Sequence, residues 1–114
     1  MKQEIVIRLE RRGDITVFDM QGDLTALSEP FLKEAYENAN DQGTSKIVLK
    51  FDQNAYINSG GIAVLIQLLA ETKRNNQQVG ITGLSDHFKK IFNMVGISKL
   101  AKIHNTVEEA LESL

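Results

Sequence analysis

The strongest constraint on this chain is an alternation of short apolar runs with runs of helical period. Residues 4–9 alternate, with Ile5, Ile7 and Leu9 against Val6 and Arg8, which predicts a half-buried strand. Arg12-Gly13-Asp14 is a turn signal. Ile15, Val17, Phe18 and Met20 mark a second strand, stopped by Gln21-Gly22-Asp23, so an antiparallel hairpin opens the chain. A helix follows, with Ser28 as N-cap, Pro30 in its first turn and Leu27, Phe31, Leu32, Ala35 and Ala39 as its stripe; Gly43 ends it. Lys46 to Phe51 (KIVLKF) is short, β-branched and apolar, as suits a central strand. Ile62, Leu65, Ile66 and Leu69 then fall at i, i+3, i+4 and i+7, and Ala63, Val64, Leu68 and Ala70 widen that helix face.

The alternation continues to the end. Val79 to Thr82 is a strand. Ser85 caps a helix carrying Phe88, Ile91, Phe92 and Val95, which Gly96 stops. Ala101 to His104 is a final strand. Thr106 and Glu109 form a capping box before Val107, Ala110, Leu111 and Leu114. The order is β-β-α-β-α-β-α-β-α. After the hairpin it demands a mixed, mostly parallel sheet with right-handed crossovers and about four helices packed on it, an α/β fold. The 114 residues show no linker or repeat, so one domain spanning 1–114 is expected.

Composition narrows the function. Apolar content of 42% and charged content of 25% are ordinary for a globular protein. A formal charge of −2 does not suit a partner that is a nucleic-acid backbone. Cysteine is absent, which excludes disulfides, thiol catalysis and thiolate metal sites. Met1-Lys2-Gln3-Glu4 lacks the apolar core of a signal peptide, and the longest apolar stretch, Ile62 to Ile66, is far too short to span a bilayer. A cytoplasmic protein without membrane insertion is expected.

In open α/β sheets, sites gather at the carboxyl ends of the strands. Two connections belong there, Gly22 to Ala26 and Asp52 to Ser59, so Ser59 and Asp23 or Thr25 become neighbours across one edge. Asn58-Ser59-Gly60-Gly61 opens the most apolar helix and sets one hydroxyl beside amides that lack helical partners, a place that favours an anion. Serine there either caps the helix, for ~1 kcal/mol, or carries a modification. Two glycines at a helix start point to a backbone that must come close or amides left uncovered. No base serves a nucleophile: His87 and His104 are isolated, Asp14, Asp19, Asp23 and Asp52 are scattered without metal-ligand spacing, and no Lys-Ser or Lys-Thr completes a phosphate loop. No catalytic residue, metal or cofactor is expected.

On these residues the chain resembles the STAS domain family of sulfate transporters and anti-sigma factor antagonists. The resemblance covers the hairpin, Val17-Phe18-Asp19-Met20-Gln21-Gly22-Asp23-Leu24, the strand Lys46 to Phe51, the tetrapeptide and the run from Phe88 to Leu111. It implies a bacterial anti-sigma factor antagonist that works by partner switching. In that scheme the unphosphorylated form binds an anti-sigma factor that is also a serine kinase of GHKL type, which frees the sigma factor. Phosphorylation of the signature serine breaks the complex, and a PP2C-type phosphatase resets it. Ser59 matches the phosphoacceptor; Asp23, Thr25, Asn58, Ser59, Gly60, Gly61 and Ile62 would meet the partner. Asn58 stands where Asp is usual, Gly60 where a second Ser or Thr is common, and Thr25 where many relatives carry an acid. The family also implies an alternative, a constitutive scaffold or cytoplasmic subunit of a transporter such as a lipid-transport ATPase, with the second helix as a permanent docking face.

Overall fold

The computed structural model describes residues 4–114. Strands β1 (Val6–Arg12) and β2 (Ile15–Gln21) form the antiparallel hairpin, closed by Gly13-Asp14. Gly13 takes φ +63°, the left-handed backbone that a tight hairpin turn needs. A 3₁₀ turn (Ala26–Ser28) leads into α1 (Glu29–Asp41), followed by β3 (Lys46–Lys50), α2 (Ser59–Arg74) and β4 (Gln78–Thr82). Then come α3 (Asp86–Met94), a second 3₁₀ turn (Ile97–Lys99), β5 (Lys102–Ile103) and α4 (Val107–Ser113). The sheet order is β1-β2-β3-β4-β5, and every pairing after the hairpin is parallel.

Parallel strands must be covered on both faces, and β2, β3 and β4 are buried along nearly their whole length. Phe18, Met20, Ile47, Leu49, Val79 and Ile81 face the main core, where α1 contributes Leu32 and Ala35, α2 contributes Leu65 and Leu69, and α3 contributes Phe92. Phe92 meets Phe51 edge to face, with ring centres 6.0 Å apart. Ile15, Val17 and Val48 face the other way and are covered by Ala110 and Leu111 of α4 and by Leu114 just past its end. Among the described residues, the α4 segment alone serves the back of the sheet. At the end away from Ser59, the Tyr36 hydroxyl donates to Gln77 Oε1 (2.6 Å) and Gln77 Nε2 donates to Asn40 Oδ1 (2.7 Å), tying α1 to the α2–β4 loop.

Several local expectations shift. The first strand lies at Val6–Arg12 rather than 4–9, because the ladder with β2 runs on until Arg12 faces Ile15. The α1 stripe is rotated: Tyr36 is buried, whereas Leu27 and Phe31 are exposed, because Leu27 belongs to the preceding 3₁₀ turn and Phe31 lies beside the sheet edge. Ser28 occupies the N-cap position of α1 but makes no side-chain cap bond there. Val95 lies past the end of α3 and is exposed. At α4, Thr106 Oγ1 accepts from Glu109 N as expected, but the Glu109 carboxylate accepts from Asn105 N rather than closing on Thr106.

Lys46 Nζ sits 3.2 Å from Asp14 Oδ2, joining the hairpin turn to the start of β3. The Lys46 hydrogen bond, then its charge, hold the Asp14 carboxyl below the ordinary carboxylate value. A lowered native value means that this contribution is present above the unfolded-state pKa and fades as pH falls through the native one. An NMR pH titration of Asp14 should show its midpoint move back up in Lys46→Met. In the core, Leu49 of β3 has no exposed surface. Leu49→Ala should lower unfolding free energy by about 2–5 kcal/mol in urea titrations, with an unchanged m-value.

Candidate functional site

The connections after β2 and β3 are stitched together by backbone. Leu24 and Ile57 form an isolated parallel bridge. Leu24 N donates to Tyr56 O (2.9 Å) and Asn58 N donates to Leu24 O (3.2 Å). The Asp23 carboxylate accepts from Tyr56 N (3.3 Å). Leu24 and Ile57 are both buried in the main core beneath this stitch. The loops therefore form one corner at the carboxyl edge of the sheet, which brings Asp23 and Thr25 beside the start of α2 as expected.

Two glycines let the helix sit there. A Cβ on Gly61 would overlap the Leu24 carbonyl, and one on Gly60 would stand 3.0 Å from Ala26 Cβ and Ala26 N. Close backbone approach is thus one observed reason for glycine at this start. Gly22 has a similar duty with φ +96°, since its added Cβ would press on the Glu4 carbonyl.

The cap of α2 is Asn58, not Ser59. Asn58 Oδ1 accepts from Gly61 N at 2.8 Å, and Asn58 O accepts from Ile62 N at 2.9 Å. Asparagine ranks with Asp and Ser at that position, so residue type alone does not choose between the two. Ser59 is the first residue of the helix and is exposed, and its hydroxyl has no hydrogen bond among the described residues. The Ser59 and Gly60 amides likewise have no partner among the described residues. One free hydroxyl thus stands beside two open donors at the positive end of a 16-residue helix.

Thr25 has a structural duty. Its Oγ1 accepts from Leu27 N (3.1 Å), and its own N–H donates to Ser28 Oγ (3.0 Å), a reciprocal cap on the 3₁₀ turn. The Ser28 hydroxyl donates on to the Asp23 carbonyl (3.3 Å). Ile62 is half-buried and packs against the main core. Leu27, 82% exposed, and Tyr56, 54% exposed, flank the corner and were not among the expected site residues. Tyr56 carried a signal, an aromatic residue interrupting a polar connection. Leu27 did not, because its spacing fits the α1 stripe.

The histidines lie elsewhere. His87 is exposed at the start of α3, with its ring 5.0 Å from that of Phe88, and His104 is buried on β4's outer side with its Cδ2 close to Gly80. Among the described residues, no group of three or more His, Asp or Glu is placed to hold a metal ion, and no helix is long and apolar enough to cross a membrane.

These features define a small α/β domain with a hairpin-led mixed sheet and an exposed serine corner at its carboxyl edge. The chain belongs to the STAS domain family, whose model matches residues 6–110. An anti-sigma-B factor antagonist from Listeria monocytogenes is 28% identical over 111 residues, covering 96% of this chain and 95% of the relative. The crystal structure of an anti-sigma factor antagonist from Mycobacterium paratuberculosis shares the fold, with a TM-score of 0.79 at 17% identity over 96% of this chain and 93% of that one. So does the Bacillus cell fate determinant SpoIIAA in its phosphorylated form, with a TM-score of 0.66 at 18% identity over 95% of this chain and 98% of that one.

The corner makes distinct demands on its residues. Gly61→Ala should destabilise the fold by about 1–3 kcal/mol through overpacking, whereas Gly60→Ala, which presses on a side chain and one amide, should cost less. Asn58→Ala should cost about 1 kcal/mol of capping, and Asn58→Asp should keep it. Thermal unfolding followed by circular dichroism checks the order.

Proposed function

We propose that this domain is an anti-sigma factor antagonist that acts by partner switching, with Ser59 as its phosphoacceptor. The observation that carries this reading is the unbonded, exposed Ser59 hydroxyl beside two open amides on the stitched corner. The names of the relatives support the partner class, an anti-sigma factor. In this reading the unmodified corner docks on an anti-sigma factor that is also a serine kinase of GHKL type, and the sigma factor is released. Asp23, Thr25, Asn58, Ser59, Gly60, Gly61 and Ile62 form the heart of the docking face. Leu27 and Tyr56 add exposed apolar surface of the kind that anchors interfaces.

Phosphorylation would add about −1.5 to −2 charges and three acceptor oxygens. The start of α2 accommodates that charge, with ~0.3–1 kcal/mol of favourable helix-dipole interaction. The fold stays as it is, while a docked partner meets new bulk and charge. A PP2C-type phosphatase restores binding. The domain serves as a binding module rather than an enzyme.

Incubation with the cognate kinase and ATP, followed by peptide mass spectrometry, should place one phosphate on Ser59. Calorimetry should show partner binding retained in Ser59→Ala and weakened at least about a hundredfold in Ser59→Asp, the loss expected for an uncompensated charge in an interface. Equal binding by wild type and both variants would instead identify a constitutive docking domain, such as a transporter subunit.

A further inference from the structure

The open edge of the sheet carries a charge pattern that is complementary to itself. β1 is the terminal strand, so its outer backbone groups have no ladder partner among the described residues. Its burial alternates, with Ile7 and Leu9 half-buried toward the main core and Val6, Arg8, Glu10 and Arg12 exposed on the back. α4 covers Ile15, Val17 and Val48 and leaves those exposed β1 side chains in the open. A single-sign run would repel any strand brought alongside. Here Glu10 sits between Arg8 and Arg12, which changes the outcome for one partner in particular.

We propose that β1 pairs with β1 of a second copy of this chain, antiparallel about a twofold axis at Leu9. In that register Arg8 faces the second copy's Glu10, and the symmetry repeats the contact. Val6 faces Arg12, and Leu9 meets Leu9. The other registers that keep facing side chains on the same side of the sheet are worse. An axis at Arg8 stacks Arg8 on Arg8. An axis at Glu10 stacks Glu10 on itself and Arg8 on Arg12. An axis at Ile7 sets Glu10 against Glu4, and one at Arg11 pairs Glu10 with Arg12 but sets Arg11 against itself and keeps only residues 10–12 of the strand in the ladder. On the core side, a groove of about 300 Å³ runs beside β1, lined by Ile7, Leu9, Phe31 and Ala35 among others, and the second Leu9 covers its mouth. The joint would continue the sheet from one copy into the next. Asp23, Thr25 and Leu27 of the corner line a pocket with Glu4 and Ile5, just ahead of β1, but Ser59 lines neither that pocket nor the groove, so the pairing leaves its hydroxyl open.

Light scattering coupled to size exclusion should give a concentration-dependent mass approaching twice 12.7 kDa, falling as salt rises. Arg8→Glu and Glu10→Arg should each raise the dimer dissociation constant at least about tenfold. The double exchange, Arg8→Glu with Glu10→Arg, should restore it. Within one copy Arg8 lies opposite Asp19 and Glu10 pairs with Arg12 at 3.0 Å, so the double variant carries both intrachain mismatches and circular dichroism confirms its fold. Recovery of the dimer there isolates the contact between copies. A monomer at every concentration, single variants that dimerise as wild type does, or a double variant that stays monomeric would each overturn the pairing.

Discussion

The approach of the α2 backbone to the Leu24 carbonyl governs the rest of the molecule. Asn58 caps the helix at this close approach while its N–H donates to the same carbonyl. Leu24 and Ile57 are thereby pinned side by side, and their side chains close the carboxyl end of the main core. From that point α2 runs back across the sheet and buries Leu65 and Leu69 over it. Any residue but glycine at position 61 would lift the helix and loosen both the corner and the core below.

The division of the two sheet faces follows from the crossovers. Three helices share the main face, so a broad core forms there, with aromatic contact between Phe51 and Phe92. Among the described residues only the short α4 returns to the other side, where Gly80 lies beside Ala110 and the His104 ring. The hairpin therefore projects beyond its back cover. The domain presents two separate surfaces, one a corner of loops and helix start, the other the flank of a strand.

Much of this was legible in the sequence because two periods, near 2 and 3.6, separate strand from helix in every segment. Gly43 and Gly96 marked stops and take φ values of +77° and +83°, as helix ends favour. Leu27 and Phe31 are exposed and Tyr36 joins the core because helical spacing fixes neighbours on a face but not which face turns inward when a 3₁₀ turn precedes the helix. The neighbourhood of Ser59 and Asp23 could be read from topology alone. That Asn58 rather than Ser59 holds the cap could not, since either side chain can accept from a free amide, and the choice rests on where the loop delivers the chain. The Leu24–Ile57 bridge also lay beyond reach, being a tertiary contact between two irregular segments.

The neutral cap has a consequence for the lifetime of the protein. Asn58 caps the helix start without Ser59, and that hydroxyl makes no hydrogen bond among the described residues. Negative charge placed there shifts folding by typically about 0.3–1 kcal/mol, and toward stability. Cellular proteases act on the small unfolded fraction, which follows folding free energy. Marked and unmarked copies would then be cleared at nearly the same rate. Under the switch proposed for Ser59, the pool size and the state of its members would be independent variables, and a cell would set how much of this domain it keeps without disturbing what fraction is competent to bind.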